Sequence, residues 1–260
     1  MIDDVFSMRR KIVFISGASS GIGAHFAKTL ARAGAEVIIL AARRLPKLQE
    51  IASDLSPLYP MTKFACVKMD VRSLVSIRSA FDEARRFAGK SCHVLVNCAG
   101  IGKPKLVLKM NEADMDDVYE VNLKGAFFVA QEMCRRLVES KSPGVIVMVG
   151  SILGIGHSAR QANYCASKAA LIQVSRVIAS EFRKHDVRCN VLCPGYFLTE
   201  MTKHFLETAA GRAYISKTPP GRLGRLEELD GPLLLLASDA SSFMTGTNLV
   251  VDLGHSNASL

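Results

Sequence analysis

Short, almost continuously apolar runs alternate along the chain with longer stretches in which apolar residues recur at helical spacing. Continuous apolar runs are typical of strands buried on both faces of a sheet, and recurrence at roughly every third or fourth position is typical of amphipathic helices. The predicted strands are 11–16, 36–41, 63–69, 93–98, 144–150, 187–193 and 247–252. The predicted helices are 21–33, 45–55, 73–88, 115–139, 160–184 and 225–238. Because strands and helices alternate, we expect an α/β fold with a doubly wound, parallel, seven-stranded, Rossmann-like sheet that carries helices on both faces.

No stretch rich in Gly, Pro or Ser divides the chain, and it contains no repeat or low-complexity tract. We therefore expect one domain over residues 1–260, with its core at 9–254. Residues 199–224, called the lid from here on, have no strand character and contain Pro219-Pro220-Gly221. A long excursion inside a compact domain usually covers a binding site, so this segment is predicted to be a substrate lid.

The composition excludes several classes of protein. Hydrophobic residues make up 49% of the chain and charged residues 22%, which excludes a disordered or collagen-like protein. Apolar runs such as Leu233–Ala237 are far shorter than the about 20 residues that cross a bilayer. Arg9-Arg10-Lys11 precedes only the apolar stretch 12–15, too short for the roughly 7–15 residues of a signal-peptide core. We expect a cytoplasmic protein without a membrane partner.

The cysteines and the charge exclude two further classes. There are seven cysteines, an odd number, and they form no Cys-x-x-Cys pair, which argues against a disulfide framework and against a bound zinc ion. The net charge is +9, but the basic pairs are dispersed and tryptophan is absent. This distribution is typical of a solvated surface and not of a nucleic-acid interface.

The segment Gly17-Ala18-Ser19-Ser20-Gly21-Ile22-Gly23 lies between the first predicted strand and the first predicted helix. Glycines allow a tight turn and a close approach of the backbone to a pyrophosphate, and the helix N-terminus offers unpaired N–H groups to the anion. The position of this turn favours a dinucleotide site.

The same residues also match the Gly-x-Ser-x-Gly elbow of serine hydrolases, with Ser19 as nucleophile and with Asp239 and His255 downstream. Only 16 residues precede Gly17, whereas an elbow needs earlier strands and an upstream loop for its oxyanion hole. The hydrolase is therefore the weaker alternative.

Tyr164 and Lys168 are spaced so that both side chains lie on one face of a predicted helix. Tyr59 and Lys63 have the same spacing, so the pattern alone is weak evidence. Ser151 distinguishes the first pair, because it directly follows a predicted strand, where α/β sheets place their sites.

Taken together, these motifs resemble the short-chain dehydrogenase/reductase family in its single-domain form, over about residues 10–254. The motifs that carry the resemblance are Gly17, Gly21 and Gly23, Asp70-Val71, Asn97-Cys98-Ala99-Gly100, Asn122, Ser151, Tyr164, Lys168, Pro194-Gly195, Thr199, Thr245-Gly246 and Val251-Asp252. The chain departs from the family pattern at Ser16, where threonine is usual, at Cys98, where a second asparagine is common, and at Leu253, where glycine usually follows the aspartate.

The resemblance implies hydride transfer between a nicotinamide cofactor and a ketone or secondary alcohol. It assigns Tyr164 as acid and base, Lys168 as the group that lowers the tyrosine pKa and binds the nicotinamide ribose, and Ser151 as donor to the substrate oxygen. Asn122 resembles the family residue that holds a water next to the lysine. The implied cofactor-binding residues are Gly17, Ser19, Ser20, Gly21, Ile22, Gly23, Arg43, Arg44, Asp70, Val71, Asn97, Ala99, Gly100, Tyr164, Lys168, Pro194, Gly195 and Thr199.

The end of the second predicted strand bears on the choice of cofactor. NAD-specific sites place an acid there, about 20 residues past the glycines, to hold the ribose 2′-hydroxyl. Here Ala41-Ala42 is followed by Arg43-Arg44, and Glu36 stands at the other end of the strand. A guanidinium can pair with a 2′-phosphate, so NADP(H) is favoured over NAD(H), with Arg43 ahead of Arg44.

A catalytically silent dinucleotide-binding regulator is an alternative, although its usual sign is a damaged tyrosine or lysine. Ketoacyl thioesters, sugars or polyols, and hydrophobic ketones are all candidate substrates. The resemblance also implies a homotetramer or homodimer built on the helices 115–139 and 160–184 and on the last helix and strand. The apolar lid residues either shape a pocket or pack against one another: Phe197, Met201, Phe205, Leu206, Tyr214 and Ile215.

Overall fold

The computed structural model describes residues 5–217 and 221–257, and its centre is a seven-stranded parallel sheet in the order β3-β2-β1-β4-β5-β6-β7. The strands are β1 (Ile12–Ser16), β2 (Val37–Ala42), β3 (Lys63–Lys68), β4 (Val94–Asn97), β5 (Gly144–Val149), β6 (Val187–Pro194) and β7 (Asn248–Val251). The predicted fold class and the number of strands are confirmed.

Nine α-helices lie among the described residues. They are α1 (Gly21–Arg32), α2 (Leu45–Leu55), α3 (Leu74–Ala88), α4 (Glu112–Tyr119), α5 (Ala126–Glu139), α6 (Ala162–Phe182), α7 (Glu200–Leu206), α8 (Ala209–Lys217) and α9 (Asp230–Ala237). Within the described ranges, no helix is long and apolar enough to cross a membrane.

Both faces of the sheet are buried, which explains why the strands are almost continuously apolar. Side chains alternate across each strand, so in β1 Phe14 enters one core and Val13 and Ile15 enter the other. Helices α3, α5 and α6 contribute to the first core, where Phe81 stacks on Phe14 with ring centroids 4.2 Å apart. Helices α1, α2 and α9 contribute to the second.

The strand order positions the site. From β1 the chain runs outward to β2 and β3, and it then returns to β4 on the other side of β1. Loops after β1 and β4 therefore leave the sheet in opposite directions and open a crevice at the carboxyl edge, the usual ligand position in such sheets.

The predicted helix 115–139 is instead two helices joined by a π-helical turn, Glu120–Gly125. Helix α4 also begins earlier than predicted, because Asn111 and Asp114 form a reciprocal cap in which each side chain accepts from the other's backbone N–H at 3.0 Å. This first turn is polar, so hydrophobic periodicity does not detect it.

The lid contains two short helices, α7 and α8, where the sequence indicated only an absence of strands. Its last residue, Gly224, pairs with Phe197 just before the lid begins, and the Gly224 N–H donates to the Tyr196 carbonyl at 2.9 Å. Pro219 and Pro220 lie outside the described residues.

Candidate active site

A cleft of about 480 Å³ opens at the carboxyl edge of the sheet. It is lined by the turn after β1, the ends of β2 and β3, the loops after β4 and β5, the first half of α6, and the start of the lid. With the exception of Asn97 and Asn122, all of the predicted cofactor-binding and catalytic residues line it. The structure thus brings together segments that are far apart in the sequence.

The turn after β1 is packed so closely that only glycine fits at two of its positions. A Cβ on Gly17, whose φ is +69°, would lie 2.7 Å from the backbone of Ala99, and a Cβ on Gly23 would lie 2.5 Å from the Gly17 carbonyl oxygen. Ser20 precedes α1 but its hydroxyl makes no helix cap, since it accepts from Arg44 Nη2 at 2.8 Å. The first turn of α1 is therefore open to an anion in the cleft.

Asn97, predicted to bind the cofactor, does not line the cleft but is buried beneath its wall. Its side chain is buried, donates to the Ala126 carbonyl at 2.7 Å and accepts from Ser16 Oγ at 2.7 Å. Ser16 Oγ in turn accepts from the Cys98 and Ala99 N–H groups at 3.1 and 3.2 Å. The hydroxyl at position 16 thus joins β1 to β4, and serine serves here as threonine would.

Ser151 and Tyr164 meet at the end of β5. Ser151 Oγ accepts from the Leu153 N–H at 3.1 Å, and the Ser151 hydroxyl acts to lower the pKa of the Tyr164 phenol. Asn163 holds the start of α6, because its Nδ2 donates to the Asp114 carbonyl at 2.8 Å while its Oδ1 accepts from the Tyr164 N–H at 2.8 Å. Sequence analysis missed Asn163, which carries no recognised motif.

Lys168 lies one turn along α6, with Nζ 5.7 Å from the centre of the Tyr164 ring. Its ammonium donates to the Val149 carbonyl at 2.8 Å. The loop after β5 packs directly against the backbone of α6 at this lysine, since a Cβ on Gly154 would lie 2.8 Å from the Lys168 carbonyl carbon. The lysine is therefore held between β5 and the loop that follows it.

The resemblance implies that Lys168 lowers the pKa of Tyr164, whereas in this structure the pKa of Tyr164 is raised. Burial raises the pKa of Tyr164 to about 12, although the Ser151 hydroxyl opposes the rise. Burial also lowers the pKa of Lys168 to about 8. A low-dielectric surrounding disfavours the charged form of each group, and in this structure that effect exceeds any attraction between the ammonium and the phenolate.

Asn122 lies in the π-helical turn and is fully buried. Its Oδ1 accepts from the Ile101 N–H at 2.8 Å, and its Nδ2 donates to the Ile101 carbonyl at 2.9 Å and to Ser167 Oγ at 3.2 Å. Both ends of the amide are used to hold the loop after β4 against α6. Asn122 thus positions the cleft wall beside Lys168 without lining the cleft.

Charged residues gather at the other end of the cleft. Arg44 pairs with Glu200, the first residue of α7, and this pairing lowers the pKa of Glu200 to about 2. Arg43 lines the cleft, is exposed and exerts an electrostatic effect on Asp70. The Asp70 carboxylate accepts from the Arg72 guanidinium at 2.7 Å, which lowers its pKa. Glu200 was not among the predicted site residues. Its position directly after Thr199, a predicted cofactor-binding residue, was the feature of the sequence that could have indicated it.

The hydrolase triad is not assembled. Ser19 Oγ accepts from Arg44, Asp239 accepts from Lys11 Nζ at 3.4 Å, and His255 contacts the Tyr214 hydroxyl at 3.3 Å. Neither Asp239 nor His255 lines the cleft in which Ser19 lies.

The apolar lid residues divide into two groups. Phe197 and Met201 line the cleft, whereas Leu206 is buried away from it and Phe205 packs against Tyr214, with ring centroids 6.1 Å apart. The lid therefore both shapes the cleft and packs on itself.

Comparison with known proteins agrees with this geometry. A family model described as Enoyl-(Acyl carrier protein) reductase matches residues 17–256. The chain is 30% identical to 2-dehydro-3-deoxy-D-gluconate 5-dehydrogenase of Escherichia coli, with 98% of each chain covered. It is 33% identical to 3-oxoacyl-[acyl-carrier-protein] reductase FabG of Salmonella typhimurium, with 95% of this chain and 98% of that protein covered.

A solved structure is similar over the full length of both chains. It is a gluconate 5-dehydrogenase from Burkholderia cenocepacia in complex with NADP and tartrate, 31% identical and with a TM-score of 0.92. The chain belongs to the short-chain dehydrogenase/reductase family. It is accordingly an oxidoreductase that interconverts carbonyl and alcohol groups.

Proposed function

We propose that this protein transfers hydride between NADP(H) and a ketone or secondary alcohol, with Tyr164 as the general acid and base, Lys168 as its partner and Ser151 as the donor to the substrate oxygen. The observation that carries the proposal is the convergence of these three side chains in one cleft. The residues at the turn fit a dinucleotide, since the glycines allow the turn to pack tightly against the loop after β4 and no side chain caps the first turn of α1, which faces the cleft.

The state of Tyr164 suits the reduction of a carbonyl. With a pKa of about 12, the phenol holds its proton at neutral pH and can give it to a substrate oxygen. Ser151 lies beside it and donates to the same oxygen as negative charge develops there. The Lys168 ammonium, 5.7 Å from the ring, then stabilises the phenolate that remains. A bound nicotinamide would supply the hydride, or accept it in the reverse reaction.

The preference for NADP(H) rests on the residues after β2. Ala41 and Ala42 end the strand without a carboxylate, and Arg43 and Arg44 follow at the cleft. A 2′-phosphate would gain charge-assisted hydrogen bonds there, whereas the end of β2 offers no carboxylate to the 2′-hydroxyl of NAD(H). The NADP complex of the similar gluconate 5-dehydrogenase supports this preference.

Steady-state kinetics with a panel of ketones and alcohols, read by cofactor absorbance, tests the proposed reaction. The panel contains oxoacyl thioesters, keto and hydroxy sugar acids, and hydrophobic cyclic ketones, because similar proteins are named for the first two classes. We expect turnover in at least one class, with a higher kcat/KM for NADPH than for NADH. Arg43→Ala should reduce that preference. Equal or better efficiency with NADH in the wild type would contradict the proposed cofactor.

We also propose a homotetramer or homodimer in which α5 and α6 of neighbouring subunits pack together. Val177 on α6 is 49% exposed, although it is a large apolar side chain in the middle of a long helix. A monomer in light scattering at micromolar concentration would exclude this assembly.

A further inference from the structure

The guanidinium of Arg44 is held at the cleft by two other segments of the chain. Its Nη1 and Nη2 donate to the two carboxylate oxygens of Glu200 at 3.0 and 2.9 Å. Nη2 also donates to Ser20 Oγ at 2.8 Å, and Nε and Nη2 donate to Ser19 Oγ at 3.3 and 3.1 Å. One carboxylate and two hydroxyls thus occupy all three nitrogens of the guanidinium.

This contact connects the lid to the turn after β1. Glu200 is the first residue of α7, and Thr199 before it lies so close to the turn that a Cβ on Gly21 would be 3.3 Å from the Thr199 Cβ. All of these residues line the cleft. Arg44, Ser19, Ser20 and Glu200 therefore form a bridge between the turn and the lid.

The Arg44–Glu200 ion pair in this bridge can be replaced by another anion at little cost. The Arg44 and Glu200 side chains are 46% and 62% exposed, and ion pairs with such exposure add little to stability. The bidentate arrangement of two oxygens on one guanidinium is also the arrangement that a phosphate group adopts. A dianionic phosphate competes with a single carboxylate for the same donors, because it carries more negative charge.

We propose that Glu200 is a cofactor-specificity residue, whose carboxylate occupies the guanidinium of Arg44 until the 2′-phosphate of NADP(H) replaces it. A phosphate and a carboxylate on the same guanidinium repel each other, because they carry like charges. Glu200 therefore lowers the affinity for the phosphorylated cofactor, and its displacement releases α7 from Arg44. Arg43 lines the same end of the cleft and forms no ion pair among the described residues, although it acts electrostatically on Asp70, so it can meet the phosphate first. This inference rests on the proposed NADP(H) site.

Isothermal titration of the full chain with two fragments tests the exchange. The fragment 2′,5′-ADP carries the 2′-phosphate, and 5′-AMP lacks it. Glu200→Gln should tighten 2′,5′-ADP by about three- to tenfold, the range expected when a nearby competing charge is removed, and should change 5′-AMP by less than about twofold. The gain should shrink at about 0.5 M salt, where exposed charges are screened.

Glu207→Gln is the matched control. Glu207 directly follows α7, pairs with Lys203 at 3.8 Å and does not line the cleft. The substitution removes the same charge from the lid, so the two fragments should bind within about twofold of wild type if the effect is local. In an Arg44→Gln background, Glu200→Gln should lose most of its effect, because there is no guanidinium left to compete for.

The outcomes separate this inference from the proposed function. If the wild type prefers 2′,5′-ADP to 5′-AMP and Glu200→Gln leaves the affinity unchanged or weakens it, the competition is excluded while the NADP(H) site stands. If the wild type shows no preference for 2′,5′-ADP, the proposed cofactor preference and this inference both fail. Thermal melting of each variant shows whether it is folded, and Glu207→Gln provides the reference.

Discussion

The two walls of the cleft differ in how firmly they are held. The catalytic wall, formed by the end of β5 and the first half of α6, is anchored by side-chain hydrogen bonds to the backbone, such as that of Lys168 to the Val149 carbonyl. The lid wall is held by the exposed Arg44–Glu200 pair and by the backbone pairing of Phe197 with Gly224 at its base. Met201, which belongs to this wall, is 50% exposed. Burial makes each group on the catalytic wall costly to alter, whereas the lid can be altered at little cost.

We infer from this difference that one wall carries the proposed proton transfer and the other selects the substrate. The proposed chemistry requires a proton donor held within a small distance of its partners in a low-dielectric surrounding, and Ser151, Tyr164 and Lys168 lie in such a surrounding. Selection of a substrate requires only a complementary surface, which exposed side chains on short helices can provide. Four substitutions test the contrast, from the largest expected effect to the smallest.

Tyr164→Phe should reduce kcat by about 10²- to 10⁴-fold, the usual contribution of general acid–base catalysis, because the ring still packs but carries no proton. Cofactor affinity, measured by titration, should stay close to that of the wild type. A kcat within a few-fold of wild type would show that the catalytic wall does not hold the acid.

Lys168 should make stability depend on pH. Its pKa is about 8 in the folded chain and 10.5 when unfolded, so between these values the unfolded chain binds more protons and stability rises with pH. Relative to Lys168→Met, the free energy of unfolding of the wild type should therefore increase by up to about 3 kcal/mol between pH 7 and pH 10.5. Denaturant titrations at both pH values measure it, and a constant difference would argue that the lysine is not desolvated.

Gly154→Ala should lower the free energy of unfolding by about 1–3 kcal/mol, because the new methyl group would lie 2.8 Å from the Lys168 backbone and the core is already filled. Gly156→Ala in the same loop is the matched control. Its nearest neighbour would be 3.6 Å away, an ordinary contact, so we expect a change within about 0.5 kcal/mol. Equal effects at both positions would indicate that the wall is not tightly packed at Lys168.

Met201→Ala should have the smallest effect on the protein itself. Because the side chain is half exposed, stability should change by less than about 0.5 kcal/mol. The KM for an apolar ketone should rise by about two- to tenfold, since part of the contact with the substrate is lost. A large fall in kcat with an unchanged KM would place the residue in the chemistry and remove the distinction between the walls.

The fold was predictable because its pattern is local. Continuous apolar runs such as 144–150 require strands covered on both faces, and β5 lies within that range. The helix 115–139 was predicted less well, because its first turn is capped by the polar pair Asn111 and Asp114 and its π-helical turn at Asn122 is held by the distant backbone of Ile101. Hydrophobic periodicity carries no information about such contacts.

The candidate site was predictable to a similar degree. Ser151, Tyr164 and Lys168 carry a recognisable spacing, and the structure places all three in the cleft. The support roles of Asn97 and Asn122 were not predictable, because an asparagine in the chain does not show which of its neighbours it will hydrogen-bond. Glu200 was missed for the same reason, since its partner Arg44 lies 156 positions away.

By itself the sequence determined the succession of strands and helices along the chain, the glycine turn and the identity of the groups that can carry a proton. These features depend on residue type and on spacing within one element. Only the tertiary structure decided the pKa values of Tyr164 and Lys168, the role of each asparagine and the pairing of Arg44 with Glu200. Those properties depend on desolvation and on contacts between residues far apart in the chain, and both exist only once the sheet and its helices have packed together.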